Sequence, residues 1–143
     1  MKARLVICFD FGLRRIGLAS GDTLTRTATP LATVAHHDSG PDWPAIDRQV
    51  KLLGPDLVVV GVPYNEDGSP GTLAPRADAF AQALGERYGL EVARIDERYS
   101  STAAHSLLRE QRASGQRRRQ LGKGDIDSAA AAVMLASWLE QQT

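Results

Sequence analysis

The first apolar block of the chain, residues 5–11, reads Leu-Val-Ile-Cys-Phe-Asp-Phe and is broken only by the carboxylate of Asp10. Its branched and aromatic residues predict a central strand. Gly12 and Gly17 bracket Leu13-Arg14-Arg15-Ile16, a spacing that predicts a turn into a second strand over 16–20 and sets Asp10 near a hairpin tip. A turn at 21–23 and a third strand over 27–34 follow, the latter at an edge because of Pro30. Residues 36–41, His-His-Asp-Ser-Gly-Pro, read as loop. Asp42 is the expected N-cap of a helix through Leu53, with Trp43, Ile46, Val50 and Leu53 at helical spacing and Gly54-Pro55 as its stop.

Farther on, residues 56–63 hold the unbroken run Leu-Val-Val-Val-Gly-Val, the pattern of a parallel strand buried on both faces. Helices must then cover both sides of the sheet. A polar Gly/Pro loop at 64–71 follows, at the carboxyl end of that strand, where open α/β sheets place ligands. A second helix is predicted over 72–88, with Gly89 beyond its end, and a fifth strand over 90–95 that runs into Asp96-Glu97-Arg98. Ser100 or Ser101 caps a third helix containing Ala104, Leu107 and Leu108, on which His105 reads as surface or filler. Residues 109–123 carry six Lys/Arg, among them Arg117, Arg118, Arg119 and Lys123, against one Glu. This segment is expected to be a flexible basic arm. The final helix opens at 124–128, with Asp125 as N-cap and Asp127 in its first turn, and its alanine run lets it approach the sheet closely.

With 143 residues the chain is one domain, and 43% apolar against 24% charged residues is the balance of a soluble globular protein. Lys plus Arg and Asp plus Glu both number 17, so any grip on a polyanion must come from local patches. The single cysteine, Cys8, lies in the first strand, which excludes an intrachain disulfide and fits a reducing compartment and a core role. No signal peptide or membrane-length apolar run is present, and a cytoplasmic location is expected.

Asp10 is the residue that demands explanation, since an unpaired buried charge costs several kcal/mol, on the order of an entire marginal stability. It must face water, meet a cation such as Arg14 or Arg15, or hold a metal. Asp10, Glu97 and Asp127 each end an element that an α/β sheet can bring together. Carboxylate oxygens suit Mg²⁺ or Mn²⁺, and two such ions about 3.5–4 Å apart can activate water and stabilise a leaving oxygen in phosphodiester hydrolysis. Asp10 is the natural bridging ligand. No cysteine cluster, HExxH, GxSxG or Walker lysine motif offers another chemistry.

Four motifs in order, Phe9-Asp10-Phe11-Gly12 with Ile16-Gly17-Leu18-Ala19, Val60-Gly61-Val62-Pro63-Tyr64-Asn65-Glu66-Asp67-Gly68, Asp96-Glu97-Arg98-Tyr99-Ser100-Ser101 and Asp127-Ser128-Ala129-Ala130-Ala131, resemble the YqgF family, also called RuvX. The resemblance covers nearly the whole chain. It implies an RNase H-like α/β fold: a five-stranded mixed sheet of order 3-2-1-4-5, flanked by helices. It further implies that Asp10, Glu97 and Asp127 are metal-binding catalytic carboxylates, with Arg98, Ser101 and Thr102 supporting the second motif. Members are bacterial cytoplasmic proteins assigned to 5′-end maturation of pre-16S ribosomal RNA, and some are described as Holliday-junction resolvases. Tyr99, where leucine is usual, and the extra acid Asp125 depart from the pattern, and whether Asp96 or Asp125 joins the ligands stays open.

Nucleic acid is the expected partner, met by Arg14, Arg15, Tyr64, Asn65, Arg98, Arg117, Arg118, Arg119 and Lys123. A four-way DNA junction would call for a homodimer making two symmetric cuts. Two other readings compete. The hairpin around Asp10 also looks like the phosphate grip of actin-like ATPases, but those need two lobes and this length supplies one. A nucleic-acid-binding module without hydrolysis is the other.

Overall fold

In the computed structural model, residues 4–62, 73–96 and 123–142 are described. The expectations for the 64–71 loop, the third helix, and the arm up to residue 122 lie outside them, as do Glu97, Arg98 and Tyr99. The strands are β1 (Leu5–Asp10), β2 (Arg15–Asp22), β3 (Ala28–His37), β4 (Gly40–Pro41), β5 (Leu57–Val62) and β6 (Glu91–Asp96), and the described helices are α1 (Trp43–Leu53), α2 (Ala74–Tyr88) and α3 (Lys123–Glu140). They form one sheet of order β4-β3-β2-β1-β5-β6. The strands from β4 to β1 pair antiparallel, and β5 runs parallel to both β1 and β6.

The expected order is therefore present with a sixth strand added at one edge. Residues 36–41 are not a simple loop: His36 pairs with Pro41 and His37 with Gly40. Two residues of backbone pairing carry no apolar alternation, so the Gly/Pro signal dominated the pattern. Pro30 lies on the stretch of β3 that β4 does not reach, beside a bulge opposite Leu18/Ala19.

All six residues of β5 are buried, as a strand with helices on both faces requires. Side-chain alternation divides the core. Ile7, Phe9, Ile16, Leu18, Val58 and Val60 pack toward α1 and α2, whereas Val6, Cys8, Ala19, Leu57 and Val59 pack toward α3. Cys8 is a buried core residue. Asp42 caps α1 by accepting the Ala45 N–H at 3.2 Å, and Gly54, in the left-handed conformation, closes it with an N–H bond to Val50 O of 2.8 Å. Gly89 ends α2 the same way.

Helix α3 meets an unusually thin strand. Gly17, Ala19 and Gly21 line the face of β2 turned to it, and a side chain at Gly21 would meet Thr27 O at 2.7 Å and Leu135 Cδ2 at 2.9 Å. Ala131 and Ala132 of the helix pack in the same cluster. Small residues on both surfaces bring the axis close, as the alanine run predicts. The helix already includes Lys123, where the described residues resume, so Asp127 lies past its first turn and Asp125 is helical rather than the N-cap. An acid is favourable both at a cap and in the first turn, which leaves the helix register undetermined by composition.

Helices α1 and α2 are tied by Asp47, whose carboxylate accepts from Arg87 Nε at 2.8 Å, Arg87 Nη2 at 2.7 Å and Tyr88 Oη at 2.6 Å. The Arg87 hydrogen bonds, followed by that of Tyr88, hold the Asp47 carboxyl down at about 2. A depressed acid stabilises the fold above its ordinary value of 3.8 and loses that contribution as pH falls through about 2. In thermal melts, Asp47→Asn should lie below the parent at neutral pH, with the gap narrowing between pH 4 and 2. A gap independent of pH would refute the assignment.

Candidate active site

Asp10 ends β1, and its parity with Val6 and Cys8 turns it toward the α3 face. Its lateral neighbours are Gly17 on β2 and Gly61 on β5. The carboxylate is thus flanked by positions with no side chain on either adjoining strand. Thr33 beyond Gly17 and Ile95 beyond Gly61 complete the row. An acid in a buried β-row would ordinarily be crowded by apolar neighbours, and here the two flanking glycines, themselves buried, leave the partly buried carboxylate without a side chain beside it on either strand.

Asp127 comes to the same place from the opposite end of the chain. A Cβ on Gly17 would fall on the Asp127 carbonyl group and lie 3.0 Å from Ser128 N. The α3 backbone therefore rests directly on the residue paired with Asp10. The Asp127 side chain is 25% exposed and accepts from Arg15 Nε at 2.6 Å. Arg15, the first residue of β2, shares the α3 face with Gly17. A charge-assisted bond of this length fixes the carboxylate over that row.

The hairpin tip is braced from β3. His36 N donates to Arg14 O at 2.9 Å, and His36 Nδ1 donates to Gly12 O at 2.7 Å. His36 is therefore a strand residue holding the turn, not a solvated loop histidine. Arg14 is exposed on the turn.

Of the residues singled out by sequence, Asp10, Asp127, Arg14 and Arg15 are described, and the fold gathers all four at the β1–β2 hairpin end. Glu97, Tyr64, Asn65, Arg98, Arg117, Arg118 and Arg119 lie outside the described residues, as does the side chain of Lys123. Asp96 shares its face with Val92, which packs on the α2 side, and so stands on the opposite face from Asp10. Sequence reasoning missed the flanking glycines and the Arg15–Asp127 pair. The signal available was the placement of Gly17 and Gly61 within otherwise apolar strands, where glycine weakens pairing unless something approaches closely.

Among the described residues no three His, Cys, Asp or Glu side chains are grouped closely enough to hold a metal. None of the described helices is long and apolar enough to cross a membrane.

Residues 4–141 match the family RuvX, described as Holliday junction resolvase. A protein of Edwardsiella ictaluri, provisionally named pre-16S rRNA nuclease, is 43% identical over 142 residues, which is 99% of each chain. A protein of Escherichia coli O157:H7 with the same provisional name is 43% identical over 136 residues, 95% of this chain and 96% of its own. Among solved structures, RuvC of Thermus thermophilus in complex with Holliday junction substrate matches with a TM-score of 0.55 at 16% identity, covering 98% of this chain and 97% of that one. The fowlpox virus Holliday junction resolvase matches with a TM-score of 0.58 at 12% identity, over 97% and 99% of the two chains. At those identities the structures establish a shared resolvase-type fold, whereas the sequence match spans nearly every residue: the chain belongs to the RuvX family.

Proposed function

We propose that this chain is a metal-dependent nuclease that hydrolyses phosphodiester bonds at the 5′ end of pre-16S ribosomal RNA in the bacterial cytoplasm. The observation that carries this reading is the convergence of two acids: Asp10 stands between Gly17 and Gly61, and the α3 backbone at Asp127 is seated on Gly17. The provisional name shared by whole-length relatives supports the choice of RNA.

Among the described residues the donors gathered at this hairpin end are the carboxylates of Asp10 and Asp127, the Cys8 thiol of the same face being buried in the core, and carboxylate oxygen fits Mg²⁺ or Mn²⁺. Asp10 and Asp127, with Glu97 from the segment after β6, would hold the ions. When bound, they supply a polarised water and charge neutralisation at the leaving oxygen. The chain's own residues have separate tasks. Gly17 lets the α3 backbone rest against β2, which brings Asp127 beside Asp10, and Gly61 adds no side chain on the other flank. Arg15 aims the Asp127 carboxylate. Arg14, with Tyr64, Asn65, Arg98, Arg117, Arg118, Arg119 and Lys123, would supply the phosphate contacts that a neutral protein cannot provide by bulk charge.

The family description favours one rival substrate, a four-way DNA junction, whose symmetry would call for a homodimer. Labelled single-stranded RNA carrying a pre-16S 5′ leader, and separately a synthetic junction, should be incubated with the protein in Mg²⁺, Mn²⁺ or EDTA. RNA cleavage lost in EDTA is the expected result. Paired symmetric nicks in the junction with intact RNA would replace the RNA assignment by the junction. Binding of both without cleavage in either metal would overturn the nuclease reading.

A further inference from the structure

Phe11 follows Asp10 and therefore turns to the other face of the hairpin, where it packs in the α1/α2 core. There it lines a groove of about 270 Å³ together with Trp43, Phe80 and Pro41. The rings form a continuous wall: Phe11 and Phe80 centroids are 5.3 Å apart, and Trp43 and Phe80 are 5.7 Å apart at 31°. Beside it opens a polar recess of about 360 Å³ bounded by Arg14, Arg76, His37 and Asp38. His36 and Arg76 border both, so the groove and the recess adjoin in one depression of the surface.

The recess is cationic. Arg15, Arg87 and Arg94 are committed to Asp127, Asp47 and Asp78, but neither Arg14 nor Arg76 is ion-paired among the described residues. Among the described residues Asp38 is the single carboxylate bordering it, against two guanidiniums. The groove falls just below the size range of pockets that take drug-sized ligands, about 300–1,000 Å³, and so suits one flat ring system. A free anion would leave the aromatic slot idle, and an apolar chain would leave both cations idle. A flat ring joined to a phosphate uses both.

We infer that this depression is a second nucleic-acid subsite, taking one unpaired nucleotide of the strand that flanks the cleaved bond, with its base in the aromatic groove and its phosphate against Arg14 and Arg76. The inference rests on the nuclease reading. Asp10 and Phe11 are consecutive, so the carboxylate site and the slot stand back to back across one hairpin. A strand passing over the tip meets both. Base–aromatic contact is tolerant of sequence, and the two arginines fix the register of the strand against the carboxylates.

The chain has two tryptophans, Trp43 and Trp138. Trp138→Phe leaves Trp43 as sole reporter, and the probe is a five-nucleotide single-stranded RNA, its DNA counterpart, or the RNA with abasic sites, all in EDTA. Trp43 emission should change on saturation with the RNA or DNA, the stronger response naming the preferred sugar, and should stay constant with the abasic strand. In the converse variant Trp43→Phe, Trp138 across the sheet should not respond. Arg14→Gln with Arg76→Gln should weaken binding roughly tenfold and reduce its salt dependence. Saturable binding that leaves Trp43 unchanged, or an equal response to the abasic strand, overturns the subsite and leaves the nuclease reading standing. Failure of every strand to bind also overturns the subsite, while the nuclease reading stands or falls on the cleavage assay.

Discussion

Gly17→Ala should destabilise the protein by about 2–4 kcal/mol, lowering its thermal midpoint by roughly 10 °C. The added methyl would land on the Asp127 carbonyl and 3.0 Å from Ser128 N. These are helix backbone atoms, which cannot rotate away as a side-chain tip can. Helix α3 must lift, and it covers Val6, Cys8, Ala19, Leu57 and Val59. Overpacking of this kind costs about 1–3 kcal/mol and occasionally more, and the rigidity of the struck atoms places Gly17 at the upper end. Gly85→Ala in α2 is the control. Its methyl would approach Val92 Cγ2 at 3.2 Å, a flexible neighbour, and the gain in helix propensity of about 1 kcal/mol offsets the squeeze. Differential scanning calorimetry should find Gly85→Ala close to the parent and Gly17→Ala far below it. An unchanged midpoint for Gly17→Ala would remove the seating of α3 from the account of the site. Cleavage should fall with stability in this variant, because the displaced helix carries Asp127 away from Asp10.

The parts of the fold legible beforehand were those written in local patterns. The run Leu57–Val62 could be little other than a buried parallel strand, and Asp42, Gly54 and Gly89 marked helix ends where the structure has them. The parts that were hidden depend on pairing between distant residues. Strand β4 exists only because His36 and His37 extend far enough to meet Gly40 and Pro41, and nothing in a Gly-Pro dipeptide announces that. That Asp125 is already helical was hidden because Asp125 and Asp127 are acceptable at several positions near a helix N-terminus.

The site divides along the same line. Asp10 was conspicuous because a carboxylate interrupts an apolar strand, and that is a local fact. Gly17 read as the far bracket of a turn, since its second role appears only when β1 and β2 are in register and α3 is laid across them. Arg15 was placed with Arg14 as a phosphate contact. Adjacent residues near a strand start point to opposite faces, so Arg14 borders the recess on one side while Arg15 reaches Asp127 on the other. Their different assignments follow from alternation, but Arg15's partner is 112 residues away and could not be read from the turn.

Asp10→Asn should abolish cleavage, with a fall of about 10³-fold or more, while the melting temperature stays within about 1 °C of the parent. Asparagine keeps the shape of the side chain and one oxygen with which to hold the contacts of Asp10, and Gly17 and Gly61 beside it carry no side chain to repack. What changes is the charge and the loss of one oxygen donor, which is what a hard cation requires. A carboxylate retained for structure would behave in the opposite way, costing stability through a broken contact and leaving the rate of the remaining folded protein intact. Single-turnover rates in Mg²⁺ and Mn²⁺, measured beside calorimetry and RNA binding in EDTA, separate the two. A variant that cleaves within tenfold of the parent removes Asp10 from the chemistry. Gly17→Ala should lose rate together with stability, whereas Asp10→Asn should lose rate alone, so the two neighbours in one β-pair distinguish the residue that positions the site from the residue that acts in it.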